Sequence, residues 1–384
     1  MTHVPPPGAH DPAAATVPDL REELDAARAR CPVQHEGGTY SLLGHAEVLA
    51  AANDPETFSS AVSRHRAIPN SLDGAEHAAY REIVERYMTR AEVDAQEAQC
   101  RAHAEAIVAG LPRGERVKTL ADFAVPFAVR TQLEWLGWPE SLEGHLVDWM
   151  ARNREATRSG EYERTAAVAA EFDAMLESIL DGKDGTGEDP TSRLMRETVD
   201  GRPLTREEIV SILRNWTAGD LGSLASSLGV LVHHLANDPV VQEDMRFDAQ
   251  AQDTLLLEDA ILEILRIDDP FVANRRITTR EVDVAGVKIP EGARVVLNWT
   301  AANRDPLVMG DPDEFRPVEN LANNLVFGTG PHVCPGMALT LMELRVAISA
   351  LLAGTRWIHP FDGEAPVRLE APGSGWAQVP VVLE

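Results

Sequence analysis

The chain has 384 residues, 44% of them hydrophobic and 25% charged, the balance of a folded globular protein. A formal charge of −26 argues against a nucleic-acid binder, which needs a basic face. No apolar run approaches the ~20 residues that cross a bilayer, and the three cysteines have neither disulfide-framework nor zinc-ribbon spacing.

Residues 1–19 are rich in Pro and Ala and lack the basic-then-apolar order of a signal peptide. They read as a flexible N-terminal arm on a cytoplasmic protein, and residues 20–384 as a single domain. Residues 20–60 predict a helix, a short hairpin around "GGTYSLLG" and a second helix, "HAEVLAAAND". Cys31 and Cys100 have ordinary neighbours and read as plain thiols. Helical periodicity dominates from Glu76 to about Arg266, broken by "DGKDGTGEDP", a solvated loop.

One helix stands apart. Thr205 and Glu208 have capping-box spacing, and apolar character then persists to a stop at Asn237-Asp238-Pro239. That predicts about 45 Å of helix. Gly219, Gly222 and Gly229 lie inside it, and the first two, near its centre, cost about 1 kcal/mol each against Ala. Either close helix packing or something flat against the backbone accounts for them. Further on, "VDVAGVKIPEGARVVLNW" predicts a hairpin about its Pro-Glu-Gly turn. "ALTLMELRVAISALLAG" predicts a helix with Gly354 as C-cap, and short strands complete the tail. The fold class is mostly α with small β-sheets.

Before that last helix the chain reads "FGTGPHVCPG" over residues 327–336. Neither a helix nor a central strand tolerates this density of Gly and Pro. Cys334 therefore sits in a structured loop near a helix N-terminus, where the helix dipole and backbone amides favour thiolate. A nucleophile needs a base, and His332 is close in sequence. One thiolate is too few ligands for structural zinc but enough for haem, whose macrocycle supplies four nitrogens.

This stretch resembles the haem-binding signature of the cytochrome P450 family, Phe-Gly-x-Gly-x-His-x-Cys-x-Gly, at every fixed position. "EILR" gives Glu263 and Arg266, matching the family's Glu-x-x-Arg pair. "HAAYR" gives His77 and Arg81, "RRITTREVDVAG" gives Arg276, and "ANRDP" and "PDEF" follow in family order. The resemblance runs from about Pro32 to the end. It implies the cytochrome P450 fold, with haem b (iron protoporphyrin IX) between the long central helix and the C-terminal cysteine loop. Cys334 would be the metal ligand, beside Phe327, Gly328 and Gly336, and Ala218 would lie against the haem on the central helix. His77, Arg81, Arg276 and His332 would hold the two propionates, which need cationic or hydrogen-bonding partners when buried. Glu263 and Arg266 would be a structural pair. The implied activity is insertion of one oxygen atom from O2 into a small organic substrate, with electrons from a separate ferredoxin and ferredoxin reductase.

The sequence departs from the family in several places. The central helix usually carries Ala-Gly-x-acid-Thr; Ala218 and Gly219 fit, but Leu221 and Gly222 occupy the acid and alcohol positions. Asp220 and Ser223 are each displaced by one residue, about 100° around a helix. The catalytic set, Gly219, Asp220, Gly222 and Ser223, therefore admits three readings. A π-bulge brings Asp220 and Ser223 back over the iron, a substrate group or water relays protons, or hydrogen peroxide is the oxidant. A non-catalytic haem sensor is the alternative from another class. Glu319 stands where the family often has Arg, with Arg316 earlier. The segment between Phe58 and His77 is short, which implies a more open pocket or closure by another loop. Phe271, Val272, Ala273 and Trp376 fall where family members line the substrate pocket, and Arg64, His65 and Arg66 read as solvated loop charge.

Overall fold

The computed structural model describes residues 19–62, 66–370 and 374–384. The expected N-terminal arm lies outside them except for Asp19, as do Arg64 and His65. Asp19 caps α1 (Leu20–Arg30), its Oδ1 accepting the Arg21 amide proton. The predicted hairpin follows as β1 (Val33–Glu36) and β2 (Thr39–Leu42), then α2 (His45–Ala52) and β3 (Phe58–Ser59). Next come α3 (Gly74–Glu85), α4 (Arg90–Gly110), β4 (Arg116–Lys118) and a π-helical turn at Thr119–Ala124. Helices α5 (Val125–Leu136), α6 (Glu143–Ser159), α7 (Tyr162–Asp181) and α8 (Pro190–Leu194) lead into a small ladder, β5 (Thr198–Val199) with β6 (Arg202–Pro203).

The long helix is α9 (Arg206–Asn237), 32 residues, and its capping box forms as expected. Thr205 N donates to Glu208 Oε2 at 2.7 Å and Glu208 N to Thr205 Oγ1 at 3.3 Å. After it come α10 (Pro239–Ala251) and α11 (Thr254–Ile267), β7 (Ala273–Thr278), β8 (Val282–Val284), β9 (Val287–Ile289) and β10 (Arg294–Asn298). The short helices α12 (Trp299–Ala302), α13 (Pro306–Met309) and α14 (Pro317–Asn320) precede the cysteine loop, α15 (Met337–Ala353) and strands β11 (Ile358–Pro360), β12 (Val367–Arg368), β13 (Trp376–Gln378) and β14 (Pro380–Leu383).

The hairpin expected about Pro290-Glu291-Gly292 forms one turn earlier. Strands β8 and β9 pair across Ala285-Gly286, both residues at positive φ, with the Gly286 amide donating to Asp283 Oδ1. Strand β10 leaves that ladder and joins the five-stranded sheet β1-β2-β10-β7-β3. There it runs parallel to β2 and antiparallel to β7. A second, three-stranded sheet is ordered β11-β14-β4.

Burial follows this division. Helices α4, α5, α9 and α15 share one large apolar core that includes Ala104, Phe127, Leu224, Leu228, Leu344 and Ile348. A smaller cluster (Leu42, Val48, Val295, Leu297, Trp299, Leu325) joins the five-stranded sheet to α2. The site lies where α9, α3, α11 and the cysteine loop converge.

Candidate functional site

The cysteine loop is held by its own backbone. Gly328 N donates to Leu325 O at 2.8 Å, Val333 N to Gly330 O at 3.0 Å, and Cys334 N to Phe327 O at 2.9 Å. Leu325 N in turn donates to Asn303 Oδ1 at 2.7 Å. The backbone at Gly328 and Gly330 is left-handed, with φ of +69° and +73°, a region Gly enters without strain.

The side chains expected at the propionates converge beside this loop. The His77 and His332 rings are 4.1 Å apart, and His77 Nε2 is buried without a hydrogen-bond partner among the described residues. His332 Nε2 is 3.0 Å from Ser60 Oγ and 3.6 Å from Asp73 Oδ1. Burial, then the neighbouring His77 and Arg276, push the His332 pKa down to about 4. Arg276 is buried, its Nη1 donating to Arg275 O at 2.8 Å. Arg81 Nε pairs with Glu85 at 2.7 Å, and its charge acts on Cys334. Burial lowers the His77 pKa as well, so the edge consists of two arginine cations, Arg81 and Arg276, with the neutral imidazoles of His77 and His332.

Cys334 departs from expectation in its acidity. Burial raises the thiol pKa to about 11, outweighing the Gly336 amide and Arg81, which pull it down. A metal cation bound to the sulfur would favour the thiolate. Among the described residues no three His, Cys, Asp or Glu side chains gather as a metal site.

Across from the loop, the three central glycines separate into two classes. A Cβ on Gly229 would stand 2.9 Å from Leu120 Cδ2, in the π-helical turn, which is the close-packing reading. A Cβ on Gly219 or Gly222 meets nothing within 4 Å. Those two, next to Ala218 on the same helix, face a space that a flat group would fill. A lone sulfur, an open helix face and a cationic edge with an orphaned imidazole fit a haem carrying two propionates.

The displaced acid and alcohol do not return to that face. Helix α9 is α-helical without interruption from Arg206 to Asn237, so no bulge corrects the register. Ser223 Oγ donates to Gly219 O at 2.6 Å and lies 3.1 Å from Asp220 O, so its proton is spent on its own helix. Asp220, turned about 100° from Gly219, points into the helical bundle, with Oδ2 buried and unpartnered among the described residues. Burial raises its pKa to about 7. Its charge acts on Cys100 of α4 and on buried Glu343 of α15. Glu343 is itself raised well above the usual carboxyl range, by burial and then by Asp220. Sequence reading missed Glu343, although a lone acid inside the apolar run "ALTLMELRVAIS" was the available signal.

The Glu263–Arg266 pair is complete. Arg266 is fully buried, its Nε donating to Glu263 Oε2 at 2.7 Å and Nη2 to Oε1 at 2.9 Å. Its other protons go to the carbonyls of Asn303 (2.9 Å), Pro312 (3.1 Å) and Glu314 (3.3 Å). The third member of the pair is neither Glu319 nor the Arg316 side chain. Asn320 Nδ2 donates to Glu263 Oε1 at 2.7 Å, and Arg316 contributes its backbone amide at 2.9 Å. Through Asn303, this network reaches Leu325 and the cysteine loop.

The pocket residues divide. Val272 and Ala273 lie at the start of β7, with Val272 O accepting the Trp299 amide proton at 2.8 Å. Phe271 is 48% exposed. Trp376 offers no free ring face: His233 stacks on it at 3.8 Å, Arg368 lies over it at 4.1 Å, and its Nε1 donates to Asp268. It braces the wall. The short 59–70 segment forms no helix among its described residues; it docks directly on α9, where Asn215 Nδ2 donates to Ile68 O at 2.6 Å and Ile68 N donates to Ser211 Oγ at 2.9 Å. Arg66 pairs with Glu76, both side chains about half exposed, in keeping with solvated loop charge.

Residues 177–383 match the family described as Cytochrome P450. The erythromycin C-12 hydroxylase of Saccharopolyspora erythraea is 30% identical over 89% of this chain and 88% of its own length. The cyclomarin C epoxidase CymV of Salinispora arenicola is 30% identical over 86% and 88%. The chain belongs to the cytochrome P450 family. Its fold matches the structure of a mutant of P450 EryK in complex with erythromycin B, with TM-score 0.84, 27% identity and coverage of 95% and 96%. Ligand-free cytochrome P450 TbtJ1 matches with TM-score 0.86 at 26% identity over 95% and 97%. This P450 is a haem-thiolate monooxygenase that binds iron protoporphyrin IX. No helix among its described residues is long and apolar enough to cross a membrane.

Proposed function

We propose that Cys334 is the axial ligand of the haem iron, and that His77, Arg81, Arg276 and His332 hold the propionates. Phe327, Gly328 and Gly336 shape the pocket around the sulfur, while Gly219 and Gly222 form the surface opposite; the side chain of Ala218, expected there too, lies outside the described residues. The observation that carries this reading is the open space in front of Gly219 and Gly222, combined with an orphaned His77 Nε2 at the cationic edge. When bound, haem supplies activation of O2, and the thiolate's electron donation favours O–O cleavage.

The protein's own part is positioning and proton supply. Gly222 leaves room where a Thr would stand, so no side-chain hydroxyl donates there. Burial raises Asp220 to about 7 and Glu343 well above the usual carboxyl range, so both keep protons at buried carboxyl oxygens, and the value at Asp220 suits a general acid. Because both point into the bundle and not at the open face, any proton they supply reaches the site only through water or a substrate group. Val272 and Ala273 contribute to the substrate wall.

Electrons come from a separate ferredoxin and ferredoxin reductase, and the substrate is a small organic molecule. Relatives named for erythromycin, cyclomarin C and vitamin D(3) share 28–30% identity with this chain, so that similarity supports the reaction class and selects no substrate. The test compares turnover of a spectrally detected ligand under two regimes. Product formation with NADH, ferredoxin and reductase that stops when O2 is removed is the expected result. Efficient turnover with peroxide alone and none with the electron-transfer partners contradicts it.

A further inference from the structure

Two adjacent acids follow α11 and take different partners. Asp268 meets a cation, Arg368 donating to both its oxygens at 2.9 and 3.1 Å. Asp269 is fully buried and takes neutral donors. Its Oδ1 accepts the Phe271 amide proton at 2.8 Å, and its Oδ2 accepts from Asn303 Nδ2 at 3.2 Å. Its carbonyl oxygen accepts from Ser374 Oγ at 2.7 Å. Burial pushes the Asp269 carboxyl up to about 8. A polar group at this depth is costly unless its bonds hold something in place.

Asn303 gives the bond a direction. It is fully buried, and its Oδ1 accepts the Leu325 amide proton at 2.7 Å. That bond fixes which end of the side-chain amide faces Asp269. Leu325 O then accepts from Gly328 N at 2.8 Å, and Phe327 O from Cys334 N at 2.9 Å. A chain of hydrogen bonds thus runs from Phe271 through Asp269, Asn303 and Leu325 into the loop that carries the sulfur. A second connection lies beside it. Trp299 N donates to Val272 O and Trp299 Nε1 to Asn274 Oδ1, each at 2.8 Å. A Cβ on Gly328 would meet the Trp299 ring at 3.6 Å. The 271–274 edge and the cysteine loop are therefore joined twice, once by an aromatic ring and once by directional bonds.

We propose that Asp269 is a positioning residue for the haem-thiolate site: through Asn303 it holds the cysteine loop in place against the 271–274 edge. With the Asp269–Asn303 bond broken, Leu325 and the turn closed by Gly328 lose an anchor, and the sulfur is held less firmly. The assignment rests on reading Cys334 as the axial ligand.

The experiment follows the reduced carbon monoxide complex of purified holoprotein. It measures how fast the red-shifted Soret band of the thiolate form gives way to the unshifted band, at a temperature where circular dichroism shows the variants folded. Asn303→Asp keeps the acceptor for Leu325 N but turns an acid toward Asp269. Asp269→Asn keeps the acceptor for Phe271 N but turns a second NH2 toward Asn303. Each is expected to lose the thiolate band about fivefold faster than wild type, the effect of one net hydrogen bond. The double variant, Asp269→Asn with Asn303→Asp, exchanges donor and acceptor across the bond and is expected to restore the wild-type rate. Because it keeps every hydrogen-bond partner, it tests the bond even where a single variant fails to fold. Gly229→Ala, which destabilises α9 away from this chain, is expected to leave the rate unchanged. Wild-type rates in both single variants, or a double variant that loses the band fivefold faster, overturn the proposal. Failure of the Cys334 reading is distinguishable, because then the wild type itself shows no thiolate band.

Discussion

Gly330 in the cysteine loop lies against the end of α2: a Cβ placed on it would stand 2.4 Å from the Ala52 carbonyl oxygen and 3.1 Å from its carbonyl carbon. Backbone conformation and space both exclude a side chain there, because φ is +73°. Gly330→Ala therefore strains the loop twice, at a cost of about 2–4 kcal/mol. The expected outcome is a lower midpoint in urea and a reduced haem-to-protein ratio. Gly328→Ala, whose Cβ would meet Trp299 at an ordinary 3.6 Å, pays only the backbone strain and is the milder of the two.

The central helix offers an internal comparison. Ala at Gly219 or Gly222 adds helix propensity of about 1 kcal/mol and collides with nothing in the chain. It also intrudes on the space assigned to haem and substrate. Both variants are expected to fold at least as stably as wild type while losing haem affinity or ligand-induced spectral shift. Gly229→Ala should do the reverse, lowering thermal stability through its clash with Leu120 while leaving the haem spectrum unchanged. Thermal melts and absorption spectra of the three variants decide the matter.

Arg266 commits all its protons to one carboxylate and three carbonyls, so a conservative change is not conservative. Lys has three donors and no planar fork. Arg266→Lys leaves Glu263 under-paired in the core and is expected to cost about 3–5 kcal/mol. Asn320→Ala removes a single donor to the same carboxylate and is expected to cost about 1–3 kcal/mol. Denaturant titration gives both values, and equal costs would show that Asn320 is as central as the arginine.

Buried carboxyls set a pH slope. Asp220 is raised from 3.8 to about 7 and Asp269 from 3.8 to about 8, each chiefly by burial. The folded state therefore keeps protons that the unfolded chain releases above about pH 4. Stability from these groups is fully present below that point and declines as pH rises to about 7 for Asp220 and about 8 for Asp269. A full shift of this size corresponds to a few kcal/mol. Asp220→Asn is expected to flatten the slope between about pH 4 and 7, measured by urea midpoints across that range. Glu97 and Glu208, both lowered to about 2 chiefly by hydrogen bonds to Arg345 and Arg202 respectively, impose the opposite trend at lower pH.

Much of this site was legible in the sequence, for identifiable reasons. The capping box, the long helix and the cysteine loop are local features, written in residues three to ten apart. His77, Arg81, Arg276 and His332 were legible because family motifs fix their order, and the structure brings them together. Other features depend on contacts between distant segments. Pairing of β10 with β2 spans more than two hundred residues, so the local alternation that suggested a β9–β10 hairpin carried no trace of it. Asn320 as third partner of Glu263 depends on the path of the chain after "PDEF". The thiol's raised pKa depends on how deeply the loop is enclosed. For Asp220, the one-residue displacement was visible, but its destination between α4 and α15 required the packed bundle.

The central claim is that the Cys334 sulfur binds the haem iron. The most direct measurement is the carbon monoxide difference spectrum of the reduced protein, taken for wild type and for Cys31→Ala, Cys100→Ala and Cys334→Ala. The red-shifted Soret band of a thiolate ligand is expected in the first three and absent from the last. A band that persists unchanged in Cys334→Ala, or vanishes in Cys100→Ala instead, contradicts the assignment.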